Sequence, residues 1–183
     1  MTKIKQGDTF PNFACTTAFS DETTIEAIAN GNKLIVWVLR YIGCTVCRYD
    51  VHLLAQNYAK FQEKGVNVTV VMQSDPSVVR EELKETPLPF EIICDTDFEI
   101  YKTLDIAPAA SMEALLGDET SAAALQVKGA AAAEAGFSHG LYEGDEQQLP
   151  ALFILSPQRE VLHAHYATNI MDMPTIDTLL KMV

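Results

Sequence analysis

The most constraining feature of this chain is the stretch Lys33–Tyr41, K-L-I-V-W-V-L-R-Y. A continuous apolar run rich in β-branched and aromatic residues reads as a strand covered on both faces, and such a strand lies at the centre of a sheet. The sequence changes period immediately after it. From Thr45 to about Lys64 the apolar residues Val51, Leu54, Ala55, Tyr58 and Phe61 recur at spacings of three and four, as an amphipathic helix requires, and Gly65 closes it. The junction holds Cys44-Thr45-Val46-Cys47. Both cysteines therefore fall where a buried strand turns into the first turn of a helix.

The unit then repeats. Val66–Met72 reads as a second strand, and Ser74-Asp75-Pro76 opens a helix over Ser77–Lys84, with Ser and Asp as caps and Pro at the first helical position. Alternation of strand and helix implies parallel pairing with right-handed crossovers. Phe90–Cys94 is a further short strand and Phe98–Leu104 a short helix. Ala151–Leu155 and Val161–Tyr166 read as strands joined by a turn at Ser156-Pro157-Gln158-Arg159, and Pro174 precedes a last helix over Thr175–Met182. The expectation is one α/β domain over 1–183, a central mixed β-sheet flanked by helices. Residues 105–147 are alanine-rich and glycine-punctuated, and read as an insertion within that domain. It should contain at least one alanine-rich helix, on the surface near the mouth of the site; a mere spacer is the plainer alternative.

At 183 residues the fold can bury about 70% of its unfolded surface, so it needs no disulfide or metal to build a core. Lys and Arg total 13 against 25 Asp and Glu, and the net charge of -12 repels nucleic-acid phosphates and anionic membrane surfaces. The longest apolar run, Leu34–Leu39, is far shorter than the ~20 residues that span a bilayer. The opening M-T-K-I-K-Q-G-D has no apolar stretch behind its lysines, so no secretory signal is read and a cytoplasmic address is expected. Four cysteines are too sparse for a disulfide framework, and a C-x-x-C pair in such a chain suggests redox chemistry or a metal.

A thiol is a nucleophile only as its thiolate, and helix N-termini and nearby cations favour that anion. Cys44 is at the mouth of the helix and Cys47 one turn further in, with Arg40 and Arg48 adding positive charge. The expected chemistry is attack by the more exposed thiolate, taken to be Cys44, on an S–S or O–O bond. Resolution by Cys47 leaves a Cys44–Cys47 disulfide that an external thiol system reduces. Other readings stay open: a non-catalytic binding or scaffold protein with inert packing cysteines, and a metal module in which His163 and His165 complete a Cys2His2 set. Cys15, Cys94 and Trp37 read as core, His52 as surface, and His139 as a residue of the insertion without an identified partner.

The residues also resemble a family. Gly7-Asp8-Thr9-Phe10-Pro11-Asn12-Phe13 is similar to the G-D-x-x-P-x-F opening of peroxiredoxins of the alkyl hydroperoxide reductase/thiol-specific antioxidant (AhpC/TSA) family, within the thioredoxin-like superfamily. Arg40–Arg48 resembles the R-x-x-G-C-x-x-C-R segment of its peroxiredoxin-like branch, Cys94-Asp95-Thr96-Asp97 its acidic turn, and Gln148–Leu155 with His163–Tyr166 its late strand pair. The resemblance implies a thioredoxin-like fold and a thiol-dependent oxidoreductase without a cofactor. Its implied partners are a peroxide or disulfide substrate and a reductant such as a thioredoxin or glutathione system, and it leaves room for a homodimer. Aligning Cys47 to the family's peroxidatic cysteine puts Arg40 where a Pro is usual and Cys44 where a Thr or Ser is usual. Pro150 stands where an arginine is expected; thioredoxins use a proline there, in cis form, to face their C-x-x-C pair. These departures point toward dithiol–disulfide exchange. The implied site residues are Cys44, Cys47, Arg40, Arg48 and Pro150.

Overall fold

The computed structural model describes residues 3–183; Met1 and Thr2, the start of the opening segment, lie outside them. A short antiparallel pair, β1 (Ala14–Cys15) and β2 (Thr23–Thr24), precedes α1 (Ile25–Ala29) and the long buried strand β3 (Lys33–Val38). Then follow α2 (Thr45–Gln56), α3 (Tyr58–Gln62), β4 (Val66–Met72), α4 (Pro76–Glu82), β5 (Ile92–Cys94) and α5 (Glu99–Thr103). After α6 (Met112–Leu116) and α7 (Glu119–Glu134), the chain ends with β6 (Ala151–Leu155), β7 (Val161–Tyr166) and α8 (Ile176–Met182).

Five strands form the main sheet in the order β5-β4-β3-β6-β7, with β3, β4 and β5 parallel and β6 and β7 antiparallel to their neighbours. The sheet is mixed and β3 is its centre. Side chains alternate across a strand, and β3 divides its apolar residues accordingly. Ile35 and Trp37 join Val51 and Leu54 of α2 and Leu179 of α8, while Leu34, Val36 and Val38 join Phe10, Ile25 and Tyr101 on the other face. This two-faced core is what the uninterrupted run from Leu34 requires. Among the described residues, no helix is long and apolar enough to cross a membrane.

The helix expected over Thr45–Lys64 is two helices. Asn57 leaves the helical conformation (φ -105°, ψ 5°), and its side-chain amide donates to the Leu53 carbonyl at 2.9 Å. A short amide side chain competes with the backbone for its own hydrogen bonds, and here it ends α2. β5 keeps only the part of Phe90–Cys94 that pairs with β4, from Val70 opposite Ile92 to Met72 opposite Cys94. The acidic turn after it has a local purpose: the Asp95 carboxylate accepts the backbone N–H groups of Glu99, Ile100 and Tyr101 at 3.0, 2.8 and 3.3 Å, satisfying the start of α5.

Candidate active site

The site is built by the turn that joins β3 to α2. Cys44 is the N-cap of α2, extended at φ -70° and ψ 115°, and its Sγ accepts the Cys47 backbone N–H at 3.3 Å. A sulfur thus takes the place an oxygen holds in most caps. Ile42 N–H, which the turn would otherwise strand, donates to Ser74 Oγ at 2.8 Å. Arg40, at the end of the β3 run and only 9% exposed, turns its guanidinium to the pair. Its Nη2 donates to Cys44 Sγ at 2.9 Å and its Nη1 to the Glu146 carbonyl at 2.6 Å.

Cys44 and Cys47 are 1% and 3% exposed. Burial pushes both thiols up. At Cys47 the hydrogen bond from Cys44, the charge of Arg40 and the Arg40 backbone N–H outweigh burial and bring the thiol down to about 6. Cys44 goes the other way, held well above the ordinary thiol value by burial and by the hydrogen bond and charge it shares with Cys47. The surroundings thus shift the two thiols in opposite directions, Cys47 down and Cys44 up, while the Arg40 Nη2 and Cys47 N–H donors both lie on the Cys44 sulfur. The expectation that Cys44 is the outer, more exposed sulfur is not met: it is as enclosed as its partner.

Arg48 does not face the sulfurs. Its Nη1 forms an ion pair with Glu82 and its Nη2 donates to the Glu82 carbonyl at 2.8 Å, so it fastens α2 to α4. Pro150 does come beside Cys47, lining with it and with Leu39, Val46 and Met173 a void of about 10 Å³. Its peptide bond is trans, not the cis form that thioredoxins use. The Cys2His2 reading is also not met. Among the described residues no three His, Cys, Asp or Glu side chains converge, and His165 instead bonds the Asp172 carbonyl at 2.6 Å. Cys15 and Cys94 are buried, as expected, and burial pushes both up to about 12.

Residues 105–147 pack against the turn that carries the pair. Gly140 N–H donates to the Gly43 carbonyl at 2.8 Å, His139 Nε2 lies 3.2 Å from Tyr41 Oη, and Asp145 N–H donates to Gln73 Oε1 at 2.5 Å. Gly43 is required by this approach, because a Cβ there would lie 2.8 Å from the Leu141 nitrogen and nearer still to its carbonyl oxygen. α7 lies along α2, and its Lys128 pairs with Asp50 at 2.7 Å, with the two side chains 16% and 13% exposed. Asp50 also bounds the void beside Cys47. Sequence reasoning missed this pair, yet two signals carried it. Asp50 follows Cys47 by three residues and so shares its helix face, and Lys128 is the single Lys or Arg between residues 105 and 147.

A model of the AhpC/TSA family matches residues 6–164. No curated protein sequence matches the chain. Among solved structures, a cysteine-to-serine mutant of peroxiredoxin 6 from Arenicola marina is similar at a TM-score of 0.71 and 14% identity, covering 97% of this chain and 70% of that one. A yeast mitochondrial 1-Cys peroxiredoxin is similar at 0.69 and 11% identity, covering 97% and 73%. The peroxidoxin BcpB from Mycobacterium tuberculosis is similar at 0.67 and 12% identity, covering 98% and 96%. These identities carry the fold, and the family match carries the membership: with its thioredoxin-like sheet and its helix-capping cysteine pair, the chain belongs to the AhpC/TSA family of thiol-dependent oxidoreductases.

Proposed function

We propose that this chain reduces small peroxides through a dithiol cycle in which Cys47 attacks and Cys44 resolves, the reverse of the order expected from exposure alone. The observation that carries the reading is the division of the pair by its surroundings: the Cys47 thiol is brought down to about 6 by a Cys44 hydrogen bond and the Arg40 charge. At neutral pH it is a thiolate, and only the thiolate attacks. The Cys47 sulfur takes one oxygen of the O–O bond and becomes a sulfenic acid, while the other oxygen leaves as water or an alcohol after gaining a proton. Cys44 then attacks that sulfenic sulfur, water departs, and a Cys44–Cys47 disulfide remains, the two electrons lost by the thiols having gone to the peroxide oxygens. Arg40 faces both sulfurs and stabilises each anion in turn. An external dithiol of the thioredoxin or glutathione kind restores the pair, and a cytoplasmic address suits a cycle that begins from free thiols.

Size favours peroxide as the first oxidant. A void of about 10 Å³ beside Cys47 is close to the space one water needs. Disulfides are the second substrate class, favoured by two cysteines one turn apart at a helix end; reaching the sulfurs would require the insertion at 105–147 to lift. The test is a sulfenic acid trap of the dimedone type applied after hydrogen peroxide to Cys44→Ser and Cys47→Ser, with mass spectrometry of the unaltered chain. Labelling of Cys47 in Cys44→Ser and a mapped Cys44–Cys47 bond are expected. Labelling confined to Cys47→Ser would restore Cys44 as the attacker.

A further inference from the structure

Cys47 is 3% exposed, so an oxidant needs a path to its sulfur. Of the two cysteines only Cys47 lines the void of about 10 Å³ where the two would meet, and Arg40 lines it too. Three of its other walls, Asp50, Lys128 and Met173, also line a second cavity, of about 310 Å³, bounded by α2, α7 and the start of α8. At that place one layer of side chains separates the void from the cavity. The cavity runs from the buried Trp37 and the half-buried Leu53 out to Thr175 and Asp177, which are exposed. Its walls are mixed, with Tyr49 and Asn57 as well as the ion pair among apolar side chains, and so they suit a passage better than a site for one ligand.

The partition can move without disturbing the backbone. Met173 lies in the connection between β7 and α8, outside any helix or strand, and its unbranched side chain has three rotatable bonds. Lys128 reaches Asp50 at 2.7 Å on a flexible four-carbon stem. The links on the side of the cysteine turn are of another kind: Gly140 N–H to the Gly43 carbonyl at 2.8 Å, and Arg40 Nη1 to the Glu146 carbonyl at 2.6 Å. Entry there would break hydrogen bonds to the main chain, and rotating a methionine breaks none. We propose that small oxidants reach Cys47 through this cavity, with Met173 as the inner gate that sets the size of molecule admitted. Met173 acts by bulk alone, because a thioether carries no charge to alter the thiolate. The proposal takes from the peroxide reading only that Cys47 is the reacting sulfur.

Two neutral alkylating reagents of one chemistry, iodoacetamide and its larger N-phenyl derivative, test the route without peroxide, since in both the Cys47 thiolate displaces iodide. Modification of Cys47 in the reduced full-length chain would be followed by tandem mass spectrometry. The ratio of the two rates cancels any change in thiolate fraction. Met173→Ala should raise the relative rate of the larger reagent roughly 3–10-fold, a barrier change of ~0.7–1.4 kcal/mol. Met173→Leu keeps the bulk and should leave the ratio near that of the unaltered chain. Leu53→Trp, inside the cavity, and Asp177→Trp, at its exposed rim, should lower it. The rim variant replaces a surface residue, so it decides the question however the inner variants fold. A ratio unmoved in Met173→Ala or in Asp177→Trp would place the entry elsewhere and overturn the proposal. Hydrogen peroxide, run beside the alkylating reagents, separates the two readings: alkylation shifted as expected with Cys47 left unoxidised would retire the peroxide reading and keep the route.

Discussion

The four cysteines fall into two regions that differ little in burial and greatly in chemistry. Cys44 and Cys47 are 1% and 3% exposed, Cys15 and Cys94 6% and 8%. Burial pushes all four thiols up, and in the second region nothing opposes it effectively. Cys15 has Asp95 and Glu99 nearby, and Cys94 has Asp75 and Glu143, which all add to the rise. Their sulfurs point toward carbonyls, Phe13 at 3.4 Å and Ile92 at 3.8 Å, contacts that suit a protonated thiol. In the first region the neighbours are donors: Arg40, a helix amide and a second thiol. A reactive thiol in this chain is therefore distinguished by what faces it, and solvent exposure distinguishes nothing.

The strongest way to break the contrast is to remove the cation. Arg40→Met should raise the Cys47 midpoint by ~1–3 pH units, the usual effect of losing an opposite charge at contact distance. A shift of ~2 units from about 6 cuts the thiolate fraction at neutral pH roughly tenfold, and peroxide consumption should fall at least as far. An unchanged midpoint in Arg40→Met would mean that the helix end and Cys44 suffice, and Arg40 would lose its role.

Next in size is the titration of the unaltered chain. Ultraviolet thiolate absorbance should show one thiolate with a midpoint of about 6 and no contribution from Cys15 or Cys94 before about 12; Cys15→Ala with Cys94→Ala should leave the low step in place. The sign for stability follows. Cys47 is lowered relative to its unfolded value of 9.0, so the unfolded chain binds more protons between about 6 and 9, and stability from this group rises with pH across that window. It is fully present above 9.0 and lost as pH falls through about 6. Cys44, Cys15 and Cys94 are raised, so their contribution is present below 9.0 and declines above it. The denaturation midpoint of the reduced protein should accordingly climb from pH 6 to 9 and then turn over.

The same contrast shows what the sequence could reveal. The strand at Leu34–Val38, the helix after it and the placement of both cysteines at their junction follow from hydrophobic period, a local property. So does the packed character of Cys15 and Cys94. The direction of Arg48 was not legible, because its partner Glu82 lies on another helix, and the same is true of Arg40, whose second contact is the Glu146 carbonyl. The break at Asn57 was hidden by an apolar period that continues through Tyr58 and Phe61, and only the side-chain bond to Leu53 reveals it. The enclosure of the thiols was not legible either, because helix position suggests an outer Cys44, whereas Cys44 and Cys47 are both buried.

The packing of residues 105–147 on the cysteine turn supplies a prediction of intermediate size. Gly43→Ala would drive a methyl group into the backbone of Leu141, so the 105–147 segment must shift away from the cysteine turn. Overpacking of this kind costs about 1–3 kcal/mol. Reaction of Cys47 with a bulky disulfide reagent should quicken several-fold, while reaction with hydrogen peroxide changes less, since the smaller oxidant needs less room. Equal changes for both reagents would mean that the segment does not limit access.

The smallest effect on the thiol is expected from Lys128→Met, although the ion pair it breaks is the more deeply set of those near the site. Burial already pushes the Asp50 carboxyl up, and Lys128 opposes that rise by charge and hydrogen bond. Without Lys128 the rise is unopposed, and Asp50 takes up a proton rather than remain a buried, unpaired anion. The pair contributes no net charge near Cys47 when intact, and a protonated Asp50 beside a methionine contributes none either. The Cys47 midpoint should therefore stay within ~0.5 pH unit of its original value, well below the ~1–3 units of a lost charge partner. Double substitution, Asp50→Asn with Lys128→Met, should give the same thiol titration as Lys128→Met alone. A Cys47 midpoint raised by a full unit in Lys128→Met and restored in the double variant would show instead that Asp50 stays ionised, with its charge acting directly against the thiolate.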